Sequence, residues 1–127
     1  MTTGVQVWCL CAAWCGVCRD FAPLLAQAQR ERPGVRLGWL DVEDEAEWLD
    51  ALDVENFPTL LLAVDGRAVF LGTVTPQLGT LLTLIDHAPT LPALAGETAA
   101  LLAPVLAHYG AQTAGSDIER GHGGLDI

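Results

Sequence analysis

The hydrophobic pattern alternates between strand-like and helix-like stretches. Val5 to Leu10 is a short apolar run that predicts a buried strand, and Phe21, Leu24, Leu25 and Ala28 then recur at helical spacing. That helix is expected from about Cys15 to Glu31, where Pro33-Gly34 stops it. Val35, Leu37, Trp39 and Asp41 alternate with Arg36, Gly38 and Leu40, which predicts a second strand lying parallel to the first through the crossover helix. Glu43 to Leu52 predicts a short acidic helix, and Thr59 to Val64 with Ala68 to Leu71 an antiparallel hairpin turning at Asp65-Gly66. Thr75 is the expected cap and Pro76 the first residue of a helix ending near His87. The order is βαβ, short helix, ββα, an α/β arrangement around a four-stranded mixed sheet.

Past Ala88 the pattern changes. Residues 89–96 look like a linker, and Glu97 to Tyr109 is a second apolar segment with Pro104 inside it, read as a short, kinked helix at 97–110. Residues 111–127 are rich in glycine and polar side chains and are expected to be disordered. The domain proper is therefore expected to span 1–88.

The chemistry concentrates at the start of the first helix. Cys15-Gly16-Val17-Cys18 is a C-x-x-C at a strand-to-helix junction, where unpaired backbone N–H groups and the helix dipole favour an anion. Cys15 is thereby placed to be a thiolate nucleophile, and Cys18, three residues along the same side, to attack a mixed disulfide formed by Cys15. The other reading of this pair is a zinc half-site or two inert thiols.

The stretch Ala12-Ala13-Trp14-Cys15-Gly16-Val17-Cys18-Arg19, with Pro23 in the helix, resembles the active site of the thioredoxin superfamily. Forty residues after Cys18, Phe57-Pro58-Thr59-Leu60-Leu61-Leu62 resembles that family's cis-proline loop and following strand, and Asp65-Gly66 and Gly72 match its hairpin turn and the glycine beside its substrate groove. The likeness covers about residues 4–88 and implies a thioredoxin-like fold with an extra C-terminal helix. It implies protein disulfide reduction or exchange by Cys15 and Cys18, docking of substrate on Trp14, Phe57, Pro58, Gly72 and Thr73, and recycling by an external reductase. It calls for no cofactor and no metal.

The sequence departs from the family at four points. The first strand begins almost at the start of the chain, so the family's extra N-terminal strand and helix are expected to be missing, leaving Val35 to Asp41 as a sheet edge. The family's buried aspartate and its lysine partner align with Cys9 and Trp39, a joint loss that avoids stranding one buried charge and implies slower resolution by Cys18. Gly16-Val17 replaces the usual Gly-Pro, which restores a backbone N–H and should make the disulfide more oxidising. Cys9 and Cys11 are additional, share one face of the first strand, and have α-carbons roughly 6.6 Å apart at strand rise, near the upper limit for a disulfide. A bridge between them is not expected. They read either as small buried hydrophobes or, with Cys15 and Cys18, as a thiolate cluster for zinc, copper or an iron–sulfur centre.

Composition narrows the remaining classes. The chain has 127 residues, 51% of them hydrophobic, enough for one core. It lacks the roughly 18 to 20 uninterrupted apolar residues of a membrane span and a basic leader, which points to the cytosol, or to the periplasm where a signal had been removed. Net charge is -10, with no lysine, so nucleic acid is an unsuitable partner. The acidic residues from Asp41 to Asp53 form either a solvated helix face or a rim that selects partners by charge. His87, His108 and His122 show no ligand spacing. The competing class is a non-enzymatic thioredoxin-like module, either a cysteine-cluster metal carrier or an interaction domain. The C-terminal segment is expected to cover the sheet face left open, in its own chain or in a homodimer.

Overall fold

The computed structural model describes residues 4–12, 15–52, 54 and 58–110. Four strands, β1 (Val5–Cys11), β2 (Arg36–Asp41), β3 (Thr59–Val64) and β4 (Arg67–Thr73), form one sheet in the order β2-β1-β3-β4. β2 runs parallel to β1, and β3 antiparallel to both β1 and β4. The helices are α1 (Gly16–Glu31), α2 (Ala46–Leu49, continued by a 3-10 turn at Asp50–Leu52), α3 (Leu78–His87) and α4 (Gly96–Gly110). The mixed four-stranded sheet and the βαβ and ββα units follow the order expected from the sequence.

The two-residue side-chain period of β1 divides the core in two. Val5, Val7, Cys9 and Cys11 face α1 and α3 and join Phe21, Leu25, Leu37, Leu60, Leu62, Leu81 and Ile85 in one cluster. Trp8 and Leu10 face the other way and pack with Leu40, Leu49, Leu61 and the α4 residues Leu102, Val105, Leu106 and Tyr109. Both faces of the sheet are thus covered, and for this reason the strands read as near-continuous apolar runs. On α1 the buried positions Cys18, Phe21, Ala22, Leu25 and Ala28 lie at helical spacing, while Pro23 sits on the exposed side.

β2 lies at a sheet edge, as expected, but its outer backbone groups are partly occupied. Gln29 on α1 donates from Nε2 to the Val35 carbonyl (2.6 Å) and accepts from the Leu37 N–H (3.3 Å). One side chain imitates a piece of neighbouring strand and blunts the edge. α1 and α3 are joined where Arg32 forks onto Asp86, with two contacts of 2.8 Å. The pair is partly solvated, so it orients the helices more than it stabilises them.

Several expected boundaries shift, each for a local reason. The acidic helix starts at Ala46 rather than Glu43, because the Asp41 carboxylate accepts the N–H groups of Glu43 (2.8 Å) and Asp44 (3.1 Å) and forms a turn first. α3 starts at Leu78, not Pro76, and Gln77 in extended conformation takes the cap position without a side-chain bond to the helix backbone, its Oε1 accepting from the Thr80 hydroxyl instead (3.5 Å). Thr75 instead accepts through its backbone carbonyl from the Gln77 N–H at 2.8 Å. The segment after α3 begins with a 3-10 turn at Ala88–Thr90 and is tied to β4 by the Leu94 N–H, which donates to the Ala68 carbonyl at 2.8 Å. α4 is a 15-residue helix that continues through Pro104 and begins one residue before the 97–110 segment expected. The 111–127 tail lies outside the described residues.

Asp65 and Gly66 both have positive φ (52° and 85°), the requirement of the tightest hairpin turn, and account for a D-G pair at this place. Gly38 serves a different need. It is the register partner of Trp8 across β1 and β2, and a β-carbon there would run into the Trp8 ring, over which the Arg36 guanidinium also lies, 5.6 Å from the centroid. Gly38→Ala is therefore expected to lower stability by ~1–3 kcal/mol, seen as a lower urea midpoint with an unchanged slope. A midpoint equal to that of the parent chain would show that the Trp8 ring moves aside freely.

Candidate active site

The site forms where β1 ends and α1 begins. The Ala12 carbonyl accepts the Cys15 N–H (3.0 Å), turning the chain so that Cys15, with extended φ and ψ (-87°, 116°), becomes the residue that caps α1. Gly16 and Val17 are its first helical residues and are exposed, with Val17 44% accessible. Cys15 is half-buried at the surface, and Cys18, one turn further, is fully buried against the sheet.

All four cysteines are reduced and come together in a file. The Cys18 thiol lies close enough to both Cys15 and Cys11 to interact with each. Cys11 and Cys9 are 3.3 Å apart at their sulfurs. The expectation for Cys9 and Cys11 treated them through the spacing of their α-carbons; the structure turns both thiols toward each other beneath the helix start. Only a statement about rotamers could have shown this, and rotamers are not visible in a spacing. Among the described residues no group of three or more His, Cys, Asp or Glu side chains is arranged to hold a metal ion.

Burial and thiol–thiol contacts set the titration of the inner groups. The Cys18 thiol is pushed above its usual value, first by its hydrogen bond with Cys11 and then by loss of water. For Cys11 the bond with Cys18 acts downward, but the bond with Cys9 together with burial outweighs it, and this thiol too is held up. Both stay protonated at neutral pH when reduced.

Cys9 and Trp39, expected to stand where the family has its buried aspartate and lysine, are register partners on β1 and β2, fully or almost fully buried. The two side chains thus lie on neighbouring strands beneath the site, and neither is a carboxylate or an amine. Pro58 is buried just before β3, and because Thr59 pairs with Leu10 and Thr73 with Thr59, Pro58 and Thr73 lie at the same end of the sheet as Cys11 and the start of α1. Gly72 is half-buried and Thr73 exposed. Trp14 and Phe57, the other expected docking residues, lie outside the described residues.

A four-stranded mixed sheet flanked by helices, with a C-x-x-C opening the helix that follows its central strand, defines a thioredoxin-type fold. The thioredoxin family model matches residues 5–86, and the chain belongs to that family. It is 39% identical over 59 residues to the thioredoxin of Listeria monocytogenes, a stretch that is 46% of this chain and 57% of the relative. It is 34% identical over 58 residues to the thioredoxin of Chlamydia pneumoniae, covering 46% and 57% of the two chains. The chain thus spans about half the length of these curated relatives. Among solved structures, the thioredoxin of Fasciola hepatica superposes with a TM-score of 0.62 at 26% identity, over 68% of this chain and 83% of that one. No helix among the described residues is long and apolar enough to cross a membrane.

Proposed function

We propose that the protein is a thiol–disulfide oxidoreductase that reduces or exchanges protein disulfides through Cys15 and Cys18. The observation that carries this reading is the pairing of a half-buried Cys15 at the cap of α1 with a fully buried Cys18 beside it one turn along.

In the forward direction the Cys15 sulfur, which is the one that reaches solvent, attacks as a thiolate one sulfur of a substrate disulfide. A Cys15–substrate bond forms, and the second substrate sulfur leaves as a thiolate that takes up a proton. Cys18 then gives up its proton and attacks the Cys15 sulfur, closing the Cys15–Cys18 disulfide and releasing the first substrate sulfur. The substrate gains two electrons, the cysteine pair loses two, and an external dithiol reductant restores it. Cys9 and Trp39, register partners on β1 and β2, supply no carboxylate beneath the pair to take the Cys18 proton. The departing substrate thiolate and water are the acceptors left, and resolution is the slow step.

Pro58, Gly72 and Thr73, with Trp14 and Phe57, are the docking surface of this reading. Broad substrate acceptance follows from backbone pairing and apolar contact. Reduction of insulin by the protein with a dithiol reductant tests the function. Turnover above the reductant alone is expected; none would leave a binding module with a thioredoxin fold.

A further inference from the structure

Cys9 and Cys11 have no part in the exchange just described, yet they extend it. Cys9, Cys11 and Cys18 are fully buried, Cys15 alone reaches solvent, and the contacts run in sequence from Cys15 to Cys18, Cys11 and Cys9. A metal centre needs ligands that converge on one point, whereas disulfide exchange needs an attacking, a central and a leaving sulfur in succession. The file supplies that succession twice.

We propose that the four cysteines form a relay in which an oxidised Cys15–Cys18 pair passes its disulfide inward, leaving a buried Cys9–Cys11 disulfide and a restored Cys15/Cys18 dithiol. The relay rests on the reading that Cys15 and Cys18 form a disulfide in turnover. In the first step the Cys11 sulfur attacks Cys18. The Cys11–Cys18 bond forms, the Cys15–Cys18 bond breaks, and Cys15 leaves with the proton that Cys11 gives up. In the second step the Cys9 sulfur attacks Cys11, the Cys9–Cys11 bond forms, and Cys18 leaves and takes the Cys9 proton. Two bonds form and two break, and neither step needs an outside oxidant or reductant. In each step the attacked sulfur stands between the attacker and the leaving group in the order of contacts.

Two physical consequences follow. The Cys11 and Cys18 thiols are held in the protonated form at neutral pH, so inward transfer is slower than the first oxidation. Neighbouring same-face strand positions are roughly 6.6 Å apart, the long end of the disulfide range, so the inner bond is strained and is readily reduced again through Cys18. A reduced chain accordingly holds electrons for two substrate disulfides, sealed from direct attack.

The test uses the full, reduced chain under anaerobic conditions with excess oxidised glutathione, quenched with acid at intervals and mapped by alkylation and mass spectrometry. Cys15–Cys18 is expected first and Cys9–Cys11 later, with two equivalents of oxidised glutathione consumed. Cys9→Ala should form a single protein disulfide, found as Cys15–Cys18 or Cys11–Cys18. Cys15→Ser should leave Cys9 and Cys11 reduced, because nothing else loads them. Wild-type protein that stops at one disulfide, with Cys9 and Cys11 alkylated only after denaturation, overturns the relay and leaves the dithiol function standing. A Cys9–Cys11 disulfide forming as fast in Cys15→Ser as in the parent overturns it also. Failure of Cys15–Cys18 to form at all removes the dithiol function and the relay together.

Discussion

Cys15→Ser abolishes insulin reduction to the level of the reductant alone, whereas Cys18→Ser still attacks substrate once and accumulates a stable mixed disulfide on Cys15. The asymmetry comes from position. Cys15 caps α1 and reaches solvent, while Cys18 is fully buried and meets only Cys15 and Cys11 among the thiols in contact with it. A serine hydroxyl does not ionise at neutral pH, so the first variant has no nucleophile left at the surface. In the second, a hydroxyl replaces a buried thiol whose neighbour Cys11 remains able to hydrogen-bond, so the fold should lose no more than about 1–3 kcal/mol. Incubation of each variant with a disulfide-bearing protein, followed by non-reducing electrophoresis and mass spectrometry, reads the trapped adduct. Adducts in equal amount on both variants would reverse or erase the assignment of roles.

The features legible in the sequence are those fixed by short-range chemistry. The apolar run from Val5 to Leu10 identified a buried strand, whose two faces the structure covers with separate clusters, and Asp65-Gly66 identified its own turn, since a β-hairpin this tight needs positive φ at both places. The C-x-x-C was visible because a helix start and a three-residue spacing suffice to juxtapose two thiols. Features set by a single side chain reaching across the fold were not legible. Gln29 bonding the edge of β2, Asp41 delaying α2, and the Cys11–Cys18 contact between a strand and a helix all depend on rotamers and on how α1 lies over β1. The start of α3 was misplaced because Thr75-Pro76 carries the chemistry of a helix start while the chain there is still leaving β4. The apolar face of α4 was visible, and so was a sheet face in need of cover; that the one covers the other within the same chain required the structure.

Removing α4 by ending the chain after Ala95 is the change expected to cost the most stability. Leu102, Val105, Leu106 and Tyr109 are 0%, 1%, 7% and 2% exposed, packed on Trp8, Leu10, Leu40, Leu61 and Ala68. Burial of four such side chains at about 1.5–3 kcal/mol each gives roughly 6–12 kcal/mol, as large as the whole stability of an ordinary domain, about 5–15 kcal/mol. Polar contacts fix the helix in place: the Tyr109 hydroxyl donates to Glu45 at 2.5 Å, and the His108 ring stacks on Trp48 at 4.0 Å. The truncated chain should therefore melt far below the parent, or associate through the uncovered face in a concentration-dependent way, as sedimentation would show. Leu102→Ala, which keeps the helix and removes one fully buried side chain, should cost about 2–5 kcal/mol by itself. Because α4 packs on the face of the sheet away from α1, where the cysteines lie, whatever truncated protein remains folded should still form mixed disulfides at Cys15. A truncated chain that is monomeric and as stable as the parent would mean that α4 contributes nothing to the fold, and that the sheet tolerates water on its Trp8 face.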